Sequence, residues 1–201
     1  MVNWIDEGKS YRFLIDPLLK HQHKKVLEHI SPDNRVLDVA CGTGALALKI
    51  AAKVQSVTGI DLSESMINSA KSTQQKRNIH NAEFHLKDAT NLNEFRNNEF
   101  DVGVIAMAVH QFPRPIAKQI LLEMKRVAKT LVILDYNHQM SRGLVKIFIF
   151  FIEWLAGGDH HRSFQHYMKA NGIYSILHEC DLDISKSNED SGNHFSLVKC
   201  S

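Results

Sequence analysis

Arg35-Val36-Leu37-Asp38-Val39-Ala40-Cys41-Gly42-Thr43-Gly44-Ala45-Leu46-Ala47 decides the fold. A short apolar run ends in an acid, two glycines follow two positions apart, and an alanine- and leucine-rich run comes next. The pattern predicts a strand over Arg35–Val39, a tight glycine turn, and a helix over Gly44–Ala52. A doubly wound sheet builds its nucleotide pocket from this strand–turn–helix unit. The Asp38 carboxylate then sets the charge of the ligand. It repels the diphosphate of a dinucleotide and attracts a cofactor with a cationic amino-acid end.

Working outward, strands alternate with helices. Strands are predicted at 56–60 (ending at Asp61), 83–86, 100–106 and 130–134. Ser63 is placed as the N-cap of a helix reaching about Gln75, and Pro113 and Pro115 open a helix reaching about Ala128. Upstream, residues 11–30 carry the spacing of one or two amphipathic helices, ended by Ser31-Pro32-Asp33-Asn34. Downstream, Leu144 to Ala156 is an apolar helix, most simply a buried one. Gly157-Gly158 break it, and Asp159 caps a helix ending near Gly172. The tail reads as two further strands, 174–180 and 194–200, joined by a polar loop as an antiparallel hairpin. The expectation is an α/β protein: a doubly wound, mostly parallel seven-stranded sheet with an antiparallel C-terminal hairpin. All 201 residues form one domain: an N-terminal helical cap (1–34), a cofactor-binding core (35–135) and acceptor-side helices with the hairpin (136–201).

The bulk numbers narrow the function. With 24 basic and 22 acidic side chains the net charge is +2, too balanced for a nucleic-acid footprint. The 44% apolar content suits a full core. The longest apolar stretch falls short of the roughly 20 residues a membrane span needs, though contact with a membrane surface stays open. Cys41, Cys180 and Cys200 are scattered, which reads as reduced thiols in a cytoplasmic protein. The 12 histidines contain no helical i, i+4 ligand pair, so no metal site is expected.

Four strand ends converge on one crevice. The first supplies Asp38, Ala40, Cys41, Gly42 and Gly44. The second ends in Asp61, 23 positions after Asp38, where a carboxylate accepts from both hydroxyls of a ribose. The third is followed by Asp88-Ala89, suited to an adenine edge. The fourth runs through Ala106 into Met107-Ala108-Val109-His110, facing the reacting end of the ligand.

At these residues the chain resembles the class I S-adenosylmethionine-dependent methyltransferases, and within them the small enzymes related to the ubiquinone and menaquinone methyltransferases. Val36 to Gly44 matches their first motif, with Ala40 where glycine is commonest. Val57 to Met66 matches the second-strand motif, and Lys87-Asp88-Ala89 and Phe100-Asp101-Val102 match the later ones. The resemblance implies a Rossmann-like methyltransferase fold that binds S-adenosyl-L-methionine. Asp38 and the glycine turn would hold the methionine part and Asp61 the ribose. Leu62 or Met66 would pack on the adenine, and Asp88 with Ala89 would read its edge. The acceptor, a small or lipid-like molecule, would be covered by the N-terminal helices, where Tyr11 lies, and by the segment holding His161, Arg162 and His166. His110 is the candidate general base. A nicotinamide-dependent oxidoreductase is disfavoured by Asp38 and the missing third glycine. A silent cofactor-binding module is a further alternative. An Asn/Asp-Pro-Pro-Tyr/Phe segment, expected of many nucleic-acid methyltransferases, is replaced by Ala106-Met107-Ala108-Val109.

Overall fold

The computed structural model describes residues 19–189 and 194–201. Tyr11 and the first part of the expected helical cap lie outside the described residues. The elements are α1 (Lys20–Leu27), β1 (Arg35–Val39), α2 (Ala45–Ala51), β2 (Ser56–Asp61), α3 (Glu64–Lys76), β3 (Ala82–Leu86), β4 (Phe100–Ala106), α4 (Arg114–Val127), β5 (Ala128–Tyr136), α5 (Leu144–Ala156), α6 (Gly158–Lys169), α7 (Ile173–Glu179), β6 (Ile184–Glu189) and β7 (Phe195–Cys200). A 3-10 turn over Val109–Gln111 links β4 to α4.

The strands form one sheet in the order β3-β2-β1-β4-β5-β7-β6. β1 to β5 are parallel, and β7 runs antiparallel between β5 and β6. β1 is central because Val36, Leu37, Asp38 and Val39 are all buried, the near-continuous apolar run of a strand covered on both faces. Strand order reverses beside it, with Asp38 level with Gly59 on one side and Val104 on the other. The crevice at the carboxyl ends therefore opens at β1 and β4. α2 and α3 pack on β2 and β3, and α4 packs on β4 and β5.

The turn after β1 is strained in a specific way. Ala40 (φ +53°), Gly42 (φ +53°) and Gly44 (φ +71°) all lie in the left-handed region. Gly44 has no room for a side chain: a Cβ there would lie 2.9 Å from both the Phe84 ring and the Ala70 Cβ. Phe84, buried on β3, thus sets how closely the turn descends onto the sheet. Met107, just past β4, is also left-handed (φ +56°), its N–H donating to the Leu134 carbonyl at 2.7 Å.

The C-terminal third differs from the sequence reading. Tyr174–Cys180 is helical, as α7, rather than a strand. Ile173, Ile176, Leu177 and Cys180 are its buried residues, spaced three and four apart as on a helix. The strand lies later, in the polar stretch first read as a loop. β6 is an edge strand, exposed through Lys186 and Ser187, with a register shift between Ile184 and Lys186. Edge strands take such polar residues and irregularities as protection against further pairing. The hairpin itself is present, built from β6 and β7. Gly157, not Asp159, occupies the N-cap of α6, and Asp159 instead pairs with Arg162 in the first turn. α6 stops at Lys169 because Asn171 and Gly172 turn left-handed. Nor is α5 a buried helix among the described residues: Leu144, Ile147, Phe148, Phe151 and Trp154 are exposed.

Gly44→Ala should destabilise the fold by about 2–5 kcal/mol, from the left-handed penalty plus overpacking against Phe84. Ala40→Gly should leave stability unchanged or raise it by up to about 1 kcal/mol, since the relieved backbone strain exceeds the added chain entropy. Urea unfolding of the two variants checks both.

Candidate active site

Asp38 is the most constrained polar group in the crevice. It is 2% exposed, and its Oδ2 has no hydrogen-bond partner among the described residues. Burial, and then the neighbouring charge of Asp61, push its carboxyl up to about 8, against the opposing pull of the Ala47 N–H. A buried carboxylate is costly unless a cation or donor meets it. Asp38 lines a cleft with His23, Ala40, Cys41, Gly42 and Ala106. The donor it lacks is what the ammonium of an amino acid supplies.

Asp61, at the end of β2, stitches the glycine turn to the neighbouring strand. Its Oδ2 accepts from the Gly42 N–H at 2.8 Å and its Oδ1 from the Ser63 N–H at 2.9 Å. The Cys41 N–H donates to the Ile60 carbonyl at 2.9 Å. Asp38 and Asp61 thus flank one turn. The Cys41 thiol is pushed well above its usual range by burial and then by these two acids, so it is an inert thiol. Ser63 caps α3, its Oγ accepting from the Met66 N–H at 3.4 Å. Met66 is buried and Leu62 exposed. Asp88 is exposed and folds into a local turn, with Oδ1 accepting from both the N–H and the hydroxyl of Thr90 at 2.8 Å. Ala89 beside it is buried. Ala106 closes β4 next to β5, level with Leu134.

His23 of α1 escaped the sequence reading. It is buried in the same cleft as Asp38, with Nδ1 2.8 Å from the Lys49 Nζ. Burial, then the Lys49 charge, lower it to about 4, so it is a neutral imidazole that accepts from lysine. Its segment, His21-Gln22-His23-Lys24-Lys25, looks like a solvated helix face, and only the tertiary fold marks it out.

The acceptor-side assignments change. His110 is buried, and its Nδ1 lies 2.6 Å from Asp135 Oδ1, while its Nε2 lies 3.5 Å from Glu153 Oε1. Burial opposes the charged ring, but Asp135 and Glu153 together lift its pKa to about 10. With its two ring nitrogens facing Asp135 and Glu153, it is not placed to take a proton from an acceptor. On α6 the residues turned toward it are His160, Phe164 and Tyr167. His161 pairs with Gln165. Arg162 and His166 line a separate cavity of about 360 Å³ with Phe112, Pro113 and Ile176. The structure therefore does not bring His161, Arg162 and His166 to the His110 cluster.

The strand order and the crevice at β1 are those of the Rossmann-like methyltransferase fold. Residues 36–130 match the family described as "Methyltransferase domain". Demethylmenaquinone methyltransferase of Leptospira interrogans is 37% identical over 104 residues, covering 48% of this chain and 41% of that protein. The 23S rRNA (uracil(1939)-C(5))-methyltransferase RlmD of Xanthomonas euvesicatoria is 37% identical over 68 residues, 34% of this chain and 15% of that protein. The chain thus spans less than half the length of these curated relatives. Among solved structures, a SAM-dependent methyltransferase from Aquifex aeolicus superposes with a TM-score of 0.71 at 22% identity, covering 96% and 97% of the two chains. Magnesium protoporphyrin IX methyltransferase from Synechocystis PCC 6803 superposes at 0.64 and 18% identity, covering 100% and 88%. At such identities the superpositions establish the fold.

An aspartate whose folded pKa is raised contributes stability that is full below its unfolded value near 3.8 and lost as pH rises through about 8. Without cofactor, the protein should therefore lose stability over that window. Asp38→Asn should remove the slope and be more stable than the native chain at pH 8 by at least about 1–3 kcal/mol, while binding cofactor more weakly. Urea unfolding across pH, paired with calorimetry, checks both signs.

Proposed function

We propose that the protein transfers a methyl group from S-adenosyl-L-methionine to a small, apolar or lipid-like acceptor. The observation that carries this reading is the buried, unpartnered Oδ2 of Asp38 beside a left-handed glycine turn. A diphosphate would meet repulsion there from Asp38 and Asp61, whereas a cationic nucleoside is attracted. This favours adenosylmethionine over a nicotinamide dinucleotide. Asp38 and the Gly42–Gly44 turn would hold the amino-acid end. Asp61, at the end of β2, would accept from the ribose hydroxyls. Met66 and Ala89 offer the apolar floor for the base. When bound, the cofactor supplies an electrophilic methyl on a sulfonium. The protein's part is then to orient the partners and keep water out.

The acceptor class follows from α5. Its buried Glu153 ties it to the carboxyl edge of the sheet through Tyr136 and His110. Leu144, Ile147, Phe148, Phe151 and Trp154 project outward. No helix among the described residues is long and apolar enough to cross a membrane. Such a face on a short helix suits contact with a lipid-like acceptor or the surface that carries it. The curated relatives are named for a quinone and for an rRNA base, so likeness alone does not choose the acceptor. The near-neutral charge weighs against nucleic acid.

Asp61→Ala should weaken binding of adenosylmethionine by about 2–5 kcal/mol, from lost charge-assisted bonds and a loosened turn. Calorimetry with adenosylmethionine and with a nicotinamide dinucleotide tests the cofactor, and tight uptake of the dinucleotide alone would overturn the reading. Transfer of labelled methyl to quinone-like and phenolic lipids, against an RNA control, tests the acceptor. The Phe148→Asp/Trp154→Asp double variant should lose tenfold or more in activity on lipid-like acceptors, given about 1.5–3 kcal/mol for each large apolar side chain buried on contact. Its cofactor affinity should stay unchanged.

A further inference from the structure

Behind the crevice lies a cluster of polar groups that methyl transfer does not use. Three elements meet there. His110 comes from the turn after β4, Glu153 from α5 and His160 from α6. One potential ligand atom from each lies within 4.8 Å of the other two. Glu153 Oε2 is 2.6 Å from His160 Nε2, and Glu153 Oε1 is 3.5 Å from His110 Nε2. We propose that His110 Nε2, the Glu153 carboxylate and His160 Nε2 form a binding site for one divalent transition ion of the zinc or ferrous type.

Four observations support this. The donor set is two imidazoles and one carboxylate, which suits zinc and iron and leaves further coordination positions open. The groups around the three donors already orient them. Asp135 Oδ1 lies 2.6 Å from His110 Nδ1, and Asp135 Oδ2 accepts the His110 backbone N–H at 3.1 Å. Nδ1 is thereby engaged and Nε2 is turned toward Glu153. A carboxylate behind a ligating histidine is the usual support of a metal site. The Tyr136 hydroxyl donates to Glu153 Oε1 at 3.0 Å, fixing that carboxylate in turn. Charge agrees as well: Asp135 and Glu153 are two buried acids, and one divalent ion balances both with the imidazoles neutral. Finally, there is an entry path, because the His160 side chain is 29% exposed while His110 and Glu153 are buried. An ion held here would clip α5 and α6 to the carboxyl edge of the sheet.

The purified chain, stripped with chelator, is titrated with Co2+ as a spectroscopic probe and with Zn2+ and Mg2+ by calorimetry. Expected are one equivalent of Co2+ with visible d–d absorption, competition by Zn2+ but not by Mg2+, and a rise in melting temperature with Zn2+. His160→Ala, a change at a partly exposed residue, should abolish the absorption. His161→Ala, one position along the helix, should keep it. Asp135→Asn removes no ligand atom and should weaken uptake roughly 10–100-fold. The proposal fails if the native chain takes up Co2+ no better than His160→Ala, or if Mg2+ competes as well as Zn2+. In either case the cluster is a proton-bridged polar network only.

Discussion

The crevice depends on a conflict left unresolved inside the protein. Asp38 is carried into the interior by β1, whose neighbours in sequence are the core of the sheet. Its Oδ2 finds no donor among the described residues. Folding therefore places a carboxylate where it is costly and leaves its compensation to a ligand. A cationic cofactor can recover that cost on binding, whereas an anionic one would add to it. On the proposed reading, selectivity between nucleoside-containing cofactors would follow from the sign of one buried charge.

The turn around Asp38 is built to keep the conflict in place. Phe84 presses on Gly44 and Gly59 from β3, and Asp61 holds the Gly42 N–H from β2. Backbone strain collects at the same level, in Ala40 after β1 and Met107 after β4. Non-glycine residues in the left-handed region persist only where surroundings over-determine them. Here the surroundings are the ladders on both sides of β1 and the bonds from Cys41 and Met107 to the adjoining strands. Ala40 in place of glycine is thus an observable cost accepted at the site.

Most of the crevice was legible because its parts are local. A strand, a glycine turn and a helix start lie within 13 consecutive residues, Arg35 to Ala47, and a carboxylate at the end of the next strand is a matter of spacing. β1, β2 and β4 fall where periodicity places them. What was not legible is what tertiary contact decides. α7 carries strand-forming Ile and Tyr at helical spacing, so propensity pointed one way and burial the other. β6 is a polar edge strand whose partner β7 supplies the apolar face. His23 reaches the cleft only because Lys49 and β1 stand opposite it. His160, rather than His161, turns inward, a choice made by how α6 seats Phe164 and Tyr167 against His110 and Tyr136.

The same packing separates two kinds of buried acid along one edge of the sheet. Asp135 and Glu153 are met from inside the chain: His110 lies between them, and His160 and Tyr136 complete Glu153. Burial works against ionisation of Glu153, yet the charges of His110 and His160 hold its carboxyl well below the usual range. Asp38 meets no such counter-charge among the described residues and is pushed the other way. An acid stabilised by its own fold can pin elements together, as Glu153 pins α5. An acid left unstabilised can do so only weakly, but it can bind. This difference in internal partners fits Asp38 to the proposed ligand recognition and the His110 cluster to holding α5 and α6 to the sheet. It also explains why the histidine at the end of β4 is unsuited to take a proton from an acceptor: its ring nitrogens face the buried acids Asp135 and Glu153.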